Sequence, residues 1–159
     1  MAIKIGINGL GRIGRMIIRS LIENNNKKIE IRHINSRSSA EVVSGLLKYD
    51  SIHGKFNCKI KHGSNFLSIN GKKITFSQHS NLNEIKWKTF GVDYVLECTG
   101  KFNSKDKLIH HLQNGAKKVI VSAPCKNSDK TIVFGVNENT LNNNDKIISA
   151  ASCTTNCLA

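Results

Sequence analysis

No stretch of this 159-residue chain is apolar for long enough to span a bilayer, which excludes a transmembrane helix. Its first residues, Met1 to Ile5, run straight into a strand-like pattern and lack the layout of a secretory leader, so a cytoplasmic location is expected. The five cysteines (Cys58, Cys98, Cys125, Cys153 and Cys157) are odd in number and contain no Cys-x-x-Cys pair. A zinc ribbon or a thioredoxin-type centre is therefore not expected; the thiols are read as reduced, with no metal site. Aromatic residues make up only 6% of the chain, and acidic residues number 11 against 24 lysines and arginines, for a net charge of +13. Nucleic-acid binding would call for basic residues gathered on one face with aromatics between them. Here the lysines are scattered through helices, turns and strand ends, which reads as solvated surface. There is no internal repeat, and the length suits one well-buried domain.

What is present alternates. Ile3, Ile5 and Ile7 read as a buried strand, followed by Ile13, Ile17, Ile18, Leu21 and Ile22 at helical spacing until Asn24-Asn-Asn26. Ile29 to Asn35 makes a second strand, completing a unit of the length that a right-handed parallel crossover needs. A helix is expected over Ala40 to Lys48. Phe66 to Ile69 and Ile74 to Phe76 flank Asn70-Gly71-Lys72 as a hairpin. Tyr94 to Glu97, Lys118 to Val121, Ile132 to Phe134 and Ile147 to Ser149 read as further strands. Between the first two of these lies a helix with Ser104 as N-cap and Gly115 as stop. The implied fold class is α/β, a Rossmann-type doubly wound, mainly parallel sheet with a local β-hairpin.

Two motifs carry chemistry. Gly6-Ile-Asn-Gly-Leu-Gly-Arg-Ile-Gly14 follows a strand and opens a helix. In that context Gly9 permits a tight turn, Gly11 lets backbone approach a pyrophosphate, and Gly14 allows close helix packing. At the end of the second strand an NAD-reading acid would be expected, but the chain has Asn35-Ser36-Arg37-Ser38-Ser39. That loop reads either as an NADP site, with Ser36 and Arg37 on a 2′-phosphate, or as a polar loop that accepts both cofactors. At the other end, Ser152-Cys-Thr-Thr-Asn-Cys157 has residues suited to a helix N-terminus, making Cys153 the candidate nucleophile. Cys58, Cys98, Cys125 and Cys157 are read as small core residues, and His53 as part of a structural loop.

With these motifs, the chain resembles the N-terminal part of the phosphorylating glyceraldehyde-3-phosphate dehydrogenases. The likeness also runs through Lys48-Tyr-Asp-Ser-Ile-His-Gly54, Glu97-Cys-Thr-Gly-Lys-Phe102, Gly115-Ala-Lys-Lys-Val-Ile-Val-Ser-Ala-Pro124 and Phe134-Gly-Val-Asn137. The resemblance implies a dinucleotide-binding domain over 1–152. Residues 153–159 would begin the catalytic-domain helix, with the general-base histidine and the rest of that domain beyond Ala159. It implies that Asn8, Arg12 and Ile13 join the glycine loop around the cofactor, that Thr99, Gly100 and Phe102 lie along it, and that Ser122 and Ala123 approach its nicotinamide end. Ser152 and Thr154 would hold a substrate or inorganic phosphate. Glyceraldehyde 3-phosphate would be oxidised through a Cys153 thiohemiacetal and thioester, with NAD or NADP as hydride acceptor, in a homotetramer. Ser36 replaces the family's common acid, which leans the expectation toward NADP. Ser80-Asn81 stands where many members carry an arginine, and Cys98 and Ala150 are also departures. Erythrose-4-phosphate dehydrogenase and a non-catalytic nucleotide- or RNA-binding module remain the alternative readings.

Overall fold

The computed structural model describes residues 2–159. Strand β1 (Ile3–Asn8) leads through the glycine loop into α1 (Arg12–Glu23), and β2 (Ile29–Asn35) returns parallel to β1. Helix α2 (Ala40–Lys48) begins at Ser39, whose side chain accepts from the Val42 amide, as an N-cap should. A two-residue ladder, β3 (Tyr49–Asp50) with β4 (Gly54–Lys55), then precedes an antiparallel meander of β5 (Ile60–Gly63), β6 (Phe66–Ile69) and β7 (Lys72–Ser77).

The chain next crosses to the far side of β1 as β8 (Tyr94–Glu97), parallel to it. Helix α3 (Lys105–Gln113) and β9 (Lys118–Val121) follow, then β10 (Lys130–Thr131), β11 (Ile147–Ser149) and α4 (Cys153–Leu158). The main sheet has the order β10-β11-β9-β8-β1-β2-β7-β6-β5, with every pair from β10 to β7 parallel. The winding reverses between β1 and β8, and the crevice beyond the carboxyl ends of strands at such a switch is where a doubly wound sheet receives ligands.

Most elements expected from periodicity are present. The hairpin is a meander that extends the main sheet through β7, because β7 pairs with β2. Its outer strand β5, Ile-Lys-His-Gly, alternates too weakly to be read as a strand. The expected strand Ile132 to Phe134 is replaced by Lys130–Thr131. Gly135 has a positive φ, and the Asn137 side chain receives the Val133 amide at 2.8 Å, so the chain turns there and leaves Phe134 exposed. Ser104 occupies the N-cap position of α3, but its side chain makes no capping bond; its carbonyl takes the Lys107 and Leu108 amides instead.

Three apolar clusters hold the sheet. The largest joins Ile5, Ile7, Ile34 and Leu67 to Ile18 of α1 and Val43 and Leu47 of α2. A second gathers Leu82, Ile85 and Val95 about Trp87, and a third packs Leu108 of α3 on Val119, Val121 and Ile147. The core reading of the cysteines holds for Cys58 and needs correction for the others. Cys58 is buried, Cys98 and Cys125 are half-buried, and Cys157 is exposed because α4 buries none of its residues. The apolar face read for α1 also differs: Ile13 is exposed in the first turn, while Arg19 is buried against the Phe56 ring, with Nη2 donating to the Gly54 carbonyl.

Candidate dinucleotide and nucleophile site

The carboxyl ends of β1, β2 and β8 surround a cavity of about 500 Å³, within the range of small-molecule sites. Asn8, Gly9 and Gly11 line one side, Ser36 and Arg37 another, and Thr99 and Phe102 a third. Arg12, Ile13 and Gly100 do not line it, and Ser122 and Ala123 lie beyond it in the turn after β9.

Gly14 lies behind the loop. A Cβ there would collide with the Gly9 carbonyl oxygen, so its bare backbone is what lets α1 start against the turn. Gly9 itself has φ +94, and a Cβ on it would meet the Thr99 amide nitrogen at 2.8 Å. Around Gly11 a Cβ would meet nothing within 4 Å, so the approach to the loop is open. No side chain caps the start of α1, and its first turn holds no acid, which leaves the positive end of the helix facing the crevice entrance. These features fit a pyrophosphate.

Sequence reasoning missed several residues. Arg15 and Lys101 line the cavity, so its walls hold three cationic side chains with Arg37 and no carboxylate; Ser38, read with Ser36 and Arg37 in the loop after β2, lines it too. Arg15 was masked by its place inside a helical pattern, one step beyond the last glycine. Beneath the cavity Asn35 donates to Asn8 Oδ1 at 2.8 Å, and its own Oδ1 takes the His79 amide at 2.9 Å. That ties the ends of β1 and β2 to the segment after β7. Cys98 also lines the cavity; burial pushes its thiol up to about 11, so it stays protonated at neutral pH.

Cys153 is exposed and is the first residue of α4. Ser152 caps the helix, with its Oγ accepting from the Thr155 amide at 3.0 Å and lying 2.8 Å from Thr155 Oγ1. The Asn156 amide folds back to the Ala150 and Ser152 carbonyls at 2.9 and 2.8 Å. Ala151 enters this turn with φ 58, in the left-handed region that alanine seldom adopts. None of the hydrogen bonds among the described residues joins a histidine to Cys153, and His53 supplies only backbone groups to its own loop and to Arg19. In the sheet, β11 stands three strands from β1, or about 14 Å at normal strand spacing, along the same carboxyl edge. The glycine loop and the segment leading to Cys153 thus leave the sheet at one edge.

The chain is similar to known proteins along its whole length. The family model described as "Glyceraldehyde 3-phosphate dehydrogenase, NAD binding domain" matches residues 3–105. A glyceraldehyde-3-phosphate dehydrogenase of Cereibacter sphaeroides is 45% identical over 159 residues, covering 100% of this chain and 47% of that protein. Glyceraldehyde-3-phosphate dehydrogenase 2 of Bacillus subtilis is 46% identical over 160 residues, covering 100% of this chain and 46% of its own. The Thermotoga maritima protein of the same name is 45% identical across 98% of this chain and 47% of its own length. The chain spans about half the length of the curated relatives it matches. No described helix is long and apolar enough to cross a membrane. By its sequence and its sheet, the chain belongs to the glyceraldehyde-3-phosphate dehydrogenase family, through that family's NAD-binding domain.

Proposed function

We propose that this chain supplies the dinucleotide site and the nucleophile of a phosphorylating glyceraldehyde-3-phosphate dehydrogenase. The observation that carries the reading is the shared carboxyl edge: an uncapped helix start and a cationic cavity at β1, and an exposed cysteine opening a capped turn after β11. When bound, the dinucleotide supplies the hydride acceptor. The Cys153 sulfur adds to the aldehyde carbon, giving a thiohemiacetal. Loss of hydride from that carbon, and of the hydroxyl proton to a base, leaves a thioester. Inorganic phosphate cleaves the thioester, releasing the acyl phosphate and restoring the thiol. Ser152 and Thr154, beside the nucleophile, are assigned to the phosphate groups. Arg12, Ile13, Gly100, Ser122 and Ala123 are assigned to outer stretches of the dinucleotide, beyond the cavity walls.

Residues 153–159 are read as the start of the catalytic part. Turnover, the base that assists it and homotetramer assembly are therefore assigned to a longer protein carrying this chain. Phosphate-dependent reduction of NAD or NADP by that protein, with glyceraldehyde 3-phosphate as substrate, tests the reading. No turnover would sink it, and faster turnover of erythrose 4-phosphate would reassign the substrate.

The cofactor reading is NADP at least as well as NAD. Ser36, Arg37 and Ser38 line the cavity with no acid to repel a 2′-phosphate. Ser36→Asp should shift preference toward NAD by about tenfold, or 1.4 kcal/mol. Titration of both reduced cofactors against both proteins decides this: strong NAD preference before mutation, or no change after it, overturns the NADP assignment.

A further inference from the structure

Glu97, at the end of β8, is 1% exposed and, among the described residues, has no lysine or arginine partner. A carboxylate in such a place must be held by hydrogen bonds alone. Oε1 accepts from the Thr99 amide at 2.8 Å and from the Thr99 hydroxyl. Oε2 accepts from Asn8 Nδ2 at 2.6 Å and faces His111 Nε2 at 3.0 Å. The proton on that ring is fixed by its other neighbour. Trp87 Nε1, which can only donate, points at His111 Nδ1 from 2.9 Å. Nδ1 must accept, so the neutral ring carries its proton on Nε2 and donates to Glu97.

The result is a buried, one-directional chain from Trp87 through His111 to Glu97, with Asn8 and Thr99 feeding the same carboxylate. Asn8 is held on its other side by Asn35. Only Asn8, Thr99 and Asn35 of this set reach the cavity; Glu97, His111 and Trp87 lie behind it. Thr99 packs so closely on Gly9 that a Cβ there would stand 2.8 Å from Thr99 Cγ2. Whatever sets Thr99 therefore sets one wall of the cavity, and whatever sets Asn8 sets the base of the glycine loop.

We propose that Glu97, held by His111, is a positioning residue for dinucleotide binding, fixing Asn8 and Thr99 in the shape the ligand requires. This rests on the reading of the cavity as a dinucleotide site. A carboxylate is favoured because Thr99 N–H, Asn8 Nδ2 and His111 Nε2 can only donate. Glutamine keeps the shape but has one oxygen, so its amide nitrogen faces either the Thr99 amide or both Asn8 Nδ2 and His111 Nε2, and at least one buried donor is left unmet. Histidine 111 is replaceable by a side chain that both accepts and donates, such as glutamine, but not by leucine.

The test compares the full-length enzyme with its E97Q, H111L and H111Q variants. It measures Kd for NAD and NADP by calorimetry, KM and kcat, and thermal midpoint. E97Q and H111L are expected to lose dinucleotide affinity by about tenfold to a hundredfold, the effect of unpaired buried donors. The rise should appear in KM, with kcat held within a few-fold, while H111Q restores most of the affinity. If E97Q does not fold, the H111L and H111Q pair carries the decision. A folded E97Q that binds as well as the unmutated enzyme, or an H111Q as weak as H111L, overturns the proposal. Failure of the unmutated enzyme to bind either dinucleotide overturns instead the reading of the cavity.

Discussion

The two ends of the site are built in opposite ways. At β1 and β8 the polar groups are buried and joined to one another: Asn8, Asn35, Glu97 and His111 are each no more than 3% exposed. At α4 no residue is buried, and the turn is held by one serine cap and one asparagine side chain. On the proposed reading, the first end recognises the dinucleotide and the second carries the nucleophile. A site that must hold a large ligand in one pose gains from a floor that cannot rearrange; α4 is the last element of a chain that spans about half the length of its relatives, so its exposure is a property of this span alone.

The largest effect is expected at Cys153. In the full-length enzyme Cys153→Ser should lower turnover by several powers of ten while leaving dinucleotide affinity within a few-fold. Cys157→Ser, one helical turn on, should be tolerated far better. Equal losses at saturating cofactor would remove Cys153 from its assigned role. At the other end Gly14→Ala should act in reverse. Its Cβ meets backbone that cannot swing aside, so stability should drop by about 1–3 kcal/mol and dinucleotide binding with it. Urea unfolding and a binding titration would show this, and an unchanged Kd would deny the loop its part.

A pH effect belongs to the buried side too. His33, fully buried and stacked on Phe90, has its pKa lowered from 6.5 to about 4, first by burial and then by His79. The unfolded chain binds a proton near pH 6.5 that the folded chain refuses until about pH 4. This contribution to stability is therefore complete above pH 6.5 and is lost as pH falls toward 4, on the order of 3 kcal/mol in all. Denaturant midpoints of the protein and of His33→Gln between pH 7 and 4 would test it; parallel curves would contradict it. The smallest effect on stability should come from Ser152→Ala, which removes the α4 cap at a cost of about 1 kcal/mol confined to that turn. Global unfolding should hardly register it, while reactivity of the Cys153 thiol should change.

The parallel core was legible because β1, β2, β8 and β9 are short apolar runs bounded by glycine, asparagine and charge. The helix over Ala40 to Lys48 was legible because Ser39 caps it and an apolar face repeats along it. What escaped was set by pairing or by side chains meeting from far apart. β5 is polar and gains its ladder only because β6 lies beside it. The Val133 to Asn137 turn overrode an apolar triplet through one glycine and one asparagine. In the site, glycine spacing and the cysteine motif are local signals and could be read directly. The Trp87–His111–Glu97 chain spans three elements, and Arg15 and Lys101 meet Arg37 only when the sheet is assembled.

Ala151 adds a consequence on the scale of time. Its left-handed backbone costs roughly 1–2 kcal/mol, which the neighbouring bonds must offset. The turn persists because the Ser149 hydroxyl receives the Ala151 amide and the Asn156 amide ties back to Ala150. When those few bonds release together, the alanine relaxes and the segment opens without disturbing the sheet. In the 159-residue chain, amide hydrogens of Thr155 and Asn156 should thus exchange with solvent through local openings, while those of Ile7 and Val95 wait for the whole domain to unfold.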